Sequence, residues 1–183
     1  MPENRSDRII KRIDELHKMH LGLRGILQYI GEQHNGKNQI NWNATIPSQT
    51  IRINYNFPRQ ITDETRFELN KLSEYLNQNF IVRLHSLLEY EKIKDDNNKI
   101  DTTLEGYEML EVIHFLRIQF AHKDGVYNPN NEKARILRER LFRVFNIHPD
   151  ESLPNQFPLD KNRVILPIVE GVKKYVKAFC ENK

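Results

Sequence analysis

Between Ser6 and Ile30, the residues Ile9, Ile13, Leu16, Leu23, Ile26, Leu27 and Ile30 recur at close to helical spacing. That pattern predicts an amphipathic helix with Ser6 as its N-cap. Gly31 and Gly36 bracket a polar break, after which the period changes from about 3.6 to 2. Ile40, Trp42, Ala44 and Ile46 alternate with polar residues, and Ile51, Ile53, Tyr55 and Phe57 do the same. This predicts a β-hairpin near 39–57, with Ile46 opposite Ile51, Ala44 opposite Ile53, Trp42 opposite Tyr55 and Ile40 opposite Phe57. Asn41, Asn43, Asn54 and Asn56 then share the other face. A two-stranded ribbon is marginal alone, so its apolar face must pack on helices or on another chain.

Helical periodicity returns after Pro58. Thr62 offers a cap for a long helix whose apolar side carries Phe67, Leu69, Leu72, Leu76, Phe80, Leu84, Leu87 and Leu88, and which ends before the polar run at 95–101. Thr102 and Glu105 match a capping box opening a third helix toward His122. Its apolar residues fall on nearly every face, which suits the centre of a bundle. Against that, Glu105, Glu108, Glu111, His114 and Arg117 recur every third position as a slowly winding charged stripe. Such a stripe must meet solvent, a cleft or a partner helix. A turn-forming run precedes a fourth helix over 132–145, with Leu137, Leu141, Val144 and Phe145 on one face. An irregular connector leads to a last helix from Ile165, where Pro167 fits only in the first turn.

The predicted class is therefore all-α: about five helices with an inserted hairpin, in one domain spanning 1–183. The chain's 183 residues suffice for a substantial core without staples. A lone cysteine, Cys180, excludes an intrachain disulfide. The charged N-terminal segment does not read as a signal peptide, and no apolar run reaches the length of a membrane span. These features predict a cytoplasmic protein with no membrane partner. Net charge is only +3, so local clusters matter more: Arg135, Arg138, Arg140 and Arg143, and Lys173, Lys174 and Lys177. Each is equally consistent with a solvated helix face.

Candidate chemistry concentrates at residues 114–125, where Arg117 and His122 lie at the end of the central helix, just before a Lys-Asp-Gly turn. The Arg-x4-His spacing also occurs at Arg12 and His17 and at Arg143 and His148, so context must choose among the three. Only the 117/122 pair ends a strongly apolar helix. Five residues turn an ideal helix by about 500°, which points the two side chains about 140° apart. Convergence then needs a bent helix end or a second chain, and a two-fold dimer would line one cleft with both pairs. The bland alternative is a C-terminal cation and histidine that satisfy the helix dipole and its free carbonyls.

The segment 115–125, followed by the helix 132–145, resembles the Arg-x4-6-His signature of the HEPN superfamily. These are compact helical domains that include metal-independent RNases of toxin, antiviral-defence and RNA-processing systems. The resemblance covers about 62–180 and not the hairpin. It implies that Arg117 and His122 are a catalytic pair and that the chain forms a homodimer acting on RNA, with an antitoxin or regulatory protein as a candidate further partner. Ile118 stands where the family commonly has asparagine, and Asp124 where one toxin branch has tyrosine, which argues against that branch.

The implied reaction is attack of the ribose 2′-hydroxyl on its own phosphate, with His122 exchanging protons and Arg117 stabilising phosphate charge. Glu111 and His114 lie on successive turns before Arg117 and are candidates to orient it or line the cleft, and Lys123 and Asp124 flank the histidine. Neither a metal site nor a cofactor is expected: His17 and His20, at i and i+3, are the nearest approach to a ligand set, and two ligands are not a site. The competing reading is a non-catalytic HEPN-like module that binds nucleic acid, nucleotide or protein. A helix-turn-helix DNA binder is a poorer third: the arginine-rich helix suits a groove, yet no short-turn helix pair precedes it.

Overall fold

A computed structural model describes residues 4–32, 39–46, 49–56, 62–93, 99–122, 127–148 and 157–182, with the backbone alone at 28–32, 39–46, 49–56, 65, 66 and 122. Among the described residues the chain is of the all-α class: α1 (Arg5–Glu32), α2 (Asp63–Tyr90), α3 (Tyr107–His122), α4 (Glu132–Phe145) and α5 (Leu166–Glu181). Two strands, β1 (Gln39–Ile46) and β2 (Gln49–Asn56), pair antiparallel between α1 and α2. None of the described helices is long and apolar enough to cross a membrane.

By contact the chain divides into two compact units, one formed by Met1–Leu21 with Tyr75–Lys183 and the other by Gly22–Glu74. The larger unit holds the core. Ile9 and Ile13 of α1, Ile81 and Leu84 of α2, Val112, Ile113 and Leu116 of α3, Leu141 of α4 and Val172 and Tyr175 of α5 are fully buried. Each such aliphatic side chain stabilises the fold by about 1.5–3 kcal/mol relative to exposure. α3 packs against both α5 and α4.

In the smaller unit the apolar stripes of α1 and α2 emerge: Leu23, Ile26, Phe67 and Leu72 are all close to half exposed or more. Burial along the full stripe, which the periodicity predicts, holds only for the part of each helix in the larger unit. The ammonium of Lys71 sits 4.3 Å from the Phe67 ring centroid, a cation–π contact on that surface. In the hairpin, Trp42 lies opposite Ile53, Ala44 opposite Ile51 and Ile46 opposite Gln49. The predicted register is thus displaced by two residues. A two-residue displacement leaves each residue on its own face, which alternation alone cannot distinguish.

Helix ends depart from the sequence reading for local reasons. α1 starts at Arg5, with the Arg8 N–H donating to the Asn4 carbonyl, so Ser6 sits inside the first turn and is buried rather than capping. α3 starts at Tyr107, five residues beyond the expected capping box. Asp101 Oδ1 instead accepts from the N–H and hydroxyl of Thr103, and Gly106 takes φ +88°, outside the right-handed helix. α2 and α4 both close with left-handed residues, Lys92 and Asn146. There Ile93 N–H reaches the Leu88 carbonyl and Ile147 N–H the Phe142 carbonyl, the pattern of a Schellman end.

Before α5, Lys161–Ile165 form a π-helical turn capped by Asp160, whose side chain accepts from the N–H groups of Asn162 and Arg163. Pro167 supplies a cause, because in regular α geometry its ring would press on the carbonyl four residues back.

One ion cluster joins the start of α1 to the end of α2. Glu91, buried at 6% exposure, accepts from Arg8 Nη2 at 3.0 Å and from Arg12, while its carbonyl accepts from Arg5 Nη2 at 2.6 Å. Cations here also complement the negative end of the α2 dipole. Gly106 and Gly171 mark a second close approach: a Cβ on Gly106 would lie 2.0 Å from the Gly171 carbonyl oxygen, whereas one on Gly171 would meet the flexible Met109 side chain at 2.4 Å. Gly106→Ala is expected to destabilise by about 2 kcal/mol or more, from combined strain and overlap with backbone. Gly171→Ala should cost less, because Met109 can move and alanine favours the helix. Urea unfolding of both variants measures the difference.

Candidate functional site

α3 sets the site because it is central and amphipathic in an unusual sense. Leu110, Val112, Ile113, Leu116 and Gln119 are buried along it, so its charges leave the core only toward particular neighbours. Glu105, just before the helix, pairs with Lys174 of α5 at 2.6 Å. Glu108 is exposed to solvent. Glu111 forms an ion pair with Arg140 of α4, both partners being more than two-thirds buried. His114 Nδ1 lies 3.3 Å from His85 Nε2 of α2, the two rings 5.5 Å apart between centroids and tilted by 30°. Three residues of the stripe thus meet three different helices, α5, α4 and α2.

Arg117 is half-buried and makes neither an ion pair nor a hydrogen bond with any described residue. Five residues later α3 ends at His122, whose side chain, with all of Lys123 and Asp124, lies outside the described residues. Of the site residues expected from sequence, Glu111 is drawn to α4 and His114 to α2, and neither bonds to Arg117. Arg140 and His85 are the partners that sequence reasoning did not supply. His85 stands beside Leu84 on the apolar side of α2, a position that marks it as buried, but its meeting with His114 is a contact between residues 29 apart.

The α2–α3 contact carries further chemistry. Glu89 Oε2 lies 3.2 Å from His85 Nδ1, so a carboxylate and two imidazoles follow one another from α2 into α3. Between two neutral rings at this distance one nitrogen donates and the other accepts, which ties the tautomer of His114 to that of His85. Leu88, Ile93, Ile100 and Leu110 surround the contact and line a cavity of about 10 Å³ beside it, near the minimum for a single water.

His17 and His20 do not form a ligand pair. His20 Nε2 bonds Asn77 Oδ1 at 3.0 Å, and Asn77 Nδ2 donates to the Leu159 carbonyl at 2.8 Å, tying α1, α2 and the connector before α5. Both imidazoles pack on the Phe80 ring. Among the described residues no three His, Cys, Asp or Glu side chains gather to hold a metal ion. Compared with family models, proteins of known function and solved structures, the chain matches none.

Burial, reinforced by the Lys173 ammonium, lowers the His17 pKa below 6.5. The unfolded chain therefore takes up a proton at about pH 6.5 while the folded chain does not. Stability from this group is fully present above that pH and is lost as pH falls from 6.5 toward the lower folded value. Thermal melts should show a smaller drop in Tm between pH 7 and pH 5.5 for His17→Gln than for the wild type. An equal drop in both proteins would refute the assignment.

Proposed function

We propose that the chain is an HEPN-like, metal-independent endoribonuclease in which Arg117 and His122 act together at a cleft shared by two copies. The finer fold belongs to the same proposal: a HEPN-like bundle carrying the 39–56 hairpin as an insertion. The observation that supports it most is the situation of Arg117. A half-buried arginine stands near the end of the central helix, five residues before the helix stops at His122, while the neighbouring Glu111 and His114 are engaged by other helices. Its fork of donors matches two phosphate oxygens.

In the reaction, His122 takes the proton from a ribose 2′-hydroxyl as that oxygen attacks the adjacent phosphorus. The bond to the 5′-oxygen breaks, that oxygen takes up a proton, and the products are a 2′,3′-cyclic phosphate and a 5′-hydroxyl. Arg117 offsets the charge that builds on the phosphoryl oxygens. DNA lacks the nucleophile. A toxin or antiviral-defence setting, with an antitoxin or other regulatory partner, fits such an activity. The second reading, a non-catalytic HEPN-like binding module, is favoured by one observation: Ile118 stands where a polar residue commonly follows the arginine.

Purified protein incubated with mixed-sequence RNA in EDTA should leave cyclic-phosphate ends. Arg117→Ala and His122→Ala should each slow cleavage by about 100-fold or more. Undiminished cleavage by both variants would overturn the assignment, and a strict monomer by light scattering would remove the shared cleft.

A further inference from the structure

Apart from α3, the larger unit carries an open groove of about 520 Å³ lined by Arg12, Glu15, Leu16 and Met19 of α1 and Arg83, Ser86, Leu87 and Tyr90 of α2. Two features distinguish it from an ordinary gap between helices. The first is an exposed aromatic: Tyr90 is 74% exposed, and the Arg12 guanidinium lies 5.1 Å from its ring centroid. A tyrosine so exposed contributes little to the core, and its ring is a stacking surface already associated with a cation.

The second feature is charge. Arg5, Arg8 and Arg12 converge on the single residue Glu91, so two guanidiniums share its one carboxylate while a third donates to its backbone carbonyl. Arg8 and Arg12 remain 56% and 42% exposed, leaving donors for solvent or an anion. Arg83 adds an exposed guanidinium with no ion pair among the described residues, and Ser86 an exposed hydroxyl. Glu15 is the one acidic side chain among the described residues of the lining.

We infer that this groove is a binding site for single-stranded RNA, in which a base stacks on Tyr90 and Arg83 and Arg12 hold backbone phosphates. The inference rests on the proposed ribonuclease reading for its choice of nucleic acid, and it adds a second point of attachment to the Arg117 region. A cationic rim alone would accept any polyanion, but a cation beside an exposed ring over an apolar floor of Leu16 and Leu87 selects a strand whose bases are unstacked. An acidic peptide would use the arginines and leave the ring idle.

The test is fluorescence anisotropy of a labelled single-stranded RNA with the full chain in EDTA, titrated over a range of salt. Tyr90→Ala should weaken binding roughly fivefold or more, with Tyr90→Phe close to wild type. Arg83→Gln should weaken it and lower the log–log salt slope by about 0.7, as expected for one lost phosphate contact. A duplex of the same sequence should bind less tightly. Unchanged affinity in both Tyr90→Ala and Arg83→Gln, no binding by the wild type at low salt, or an acidic peptide that competes as well as RNA would each overturn the groove. Cleavage is read separately: RNA cut normally with affinity untouched by these variants sinks the groove alone, whereas binding that depends on them without cleavage sinks the ribonuclease and leaves the groove standing.

Discussion

A charge removed from water must be met by a partner, and a helix at the centre of a bundle can meet its charges only through its neighbours. α3 carries that constraint for the whole larger unit. Its aliphatic residues fill the core, and two ionisable residues between them are engaged by neighbouring helices, Glu111 by Arg140 of α4 and His114 by His85 of α2, while Glu105 ahead of the helix forms an exposed pair with Lys174 of α5. Arg117 is the member of the stripe that is neither fully exposed nor bonded to a described residue. A bundle that engages most of a central helix's polar groups structurally throws the remaining one into relief.

The same constraint explains what the sequence discloses. α4 is legible to the residue, because Asn131 caps it, its side chain accepting from the Ala134 N–H, and because Leu137, Leu141 and Phe145 lie on one clean buried face. The end of α3 at His122 is legible as well. Its start is not, since Thr102 and Glu105 have the composition of a capping box while Gly106 takes a backbone angle that no composition reveals. Likewise Ser6 has the identity of a cap and the position of a core residue. Competing local signals are decided by tertiary contacts, here the close approach of Gly106 to α5.

For the candidate site, the chain positions of Arg117 and His122 are readable and their neighbours are not. A stripe every third residue announces that α3 needs partners on several sides. It does not say that Glu111 belongs to α4 and His114 to α2, because those pairings join residues far apart in sequence. The groove beside Tyr90 is hidden for the same reason: its arginines come from α1 and α2, and on either helix alone they look like a solvated face.

The π-helical turn at Lys161–Ile165 sets the phase of everything after it. The Leu166 N–H reaches back to the Lys161 carbonyl, so the turn accommodates one residue more than an α-turn would. Loss of a single residue within it leaves two options, a proline ring against a carbonyl or a rotation of α5 by about 100°. The second would carry Tyr175, whose hydroxyl accepts from the Asp101 N–H at 2.8 Å, away from the loop it anchors. The five residues after Asp160 act as an indexing ratchet for the final helix.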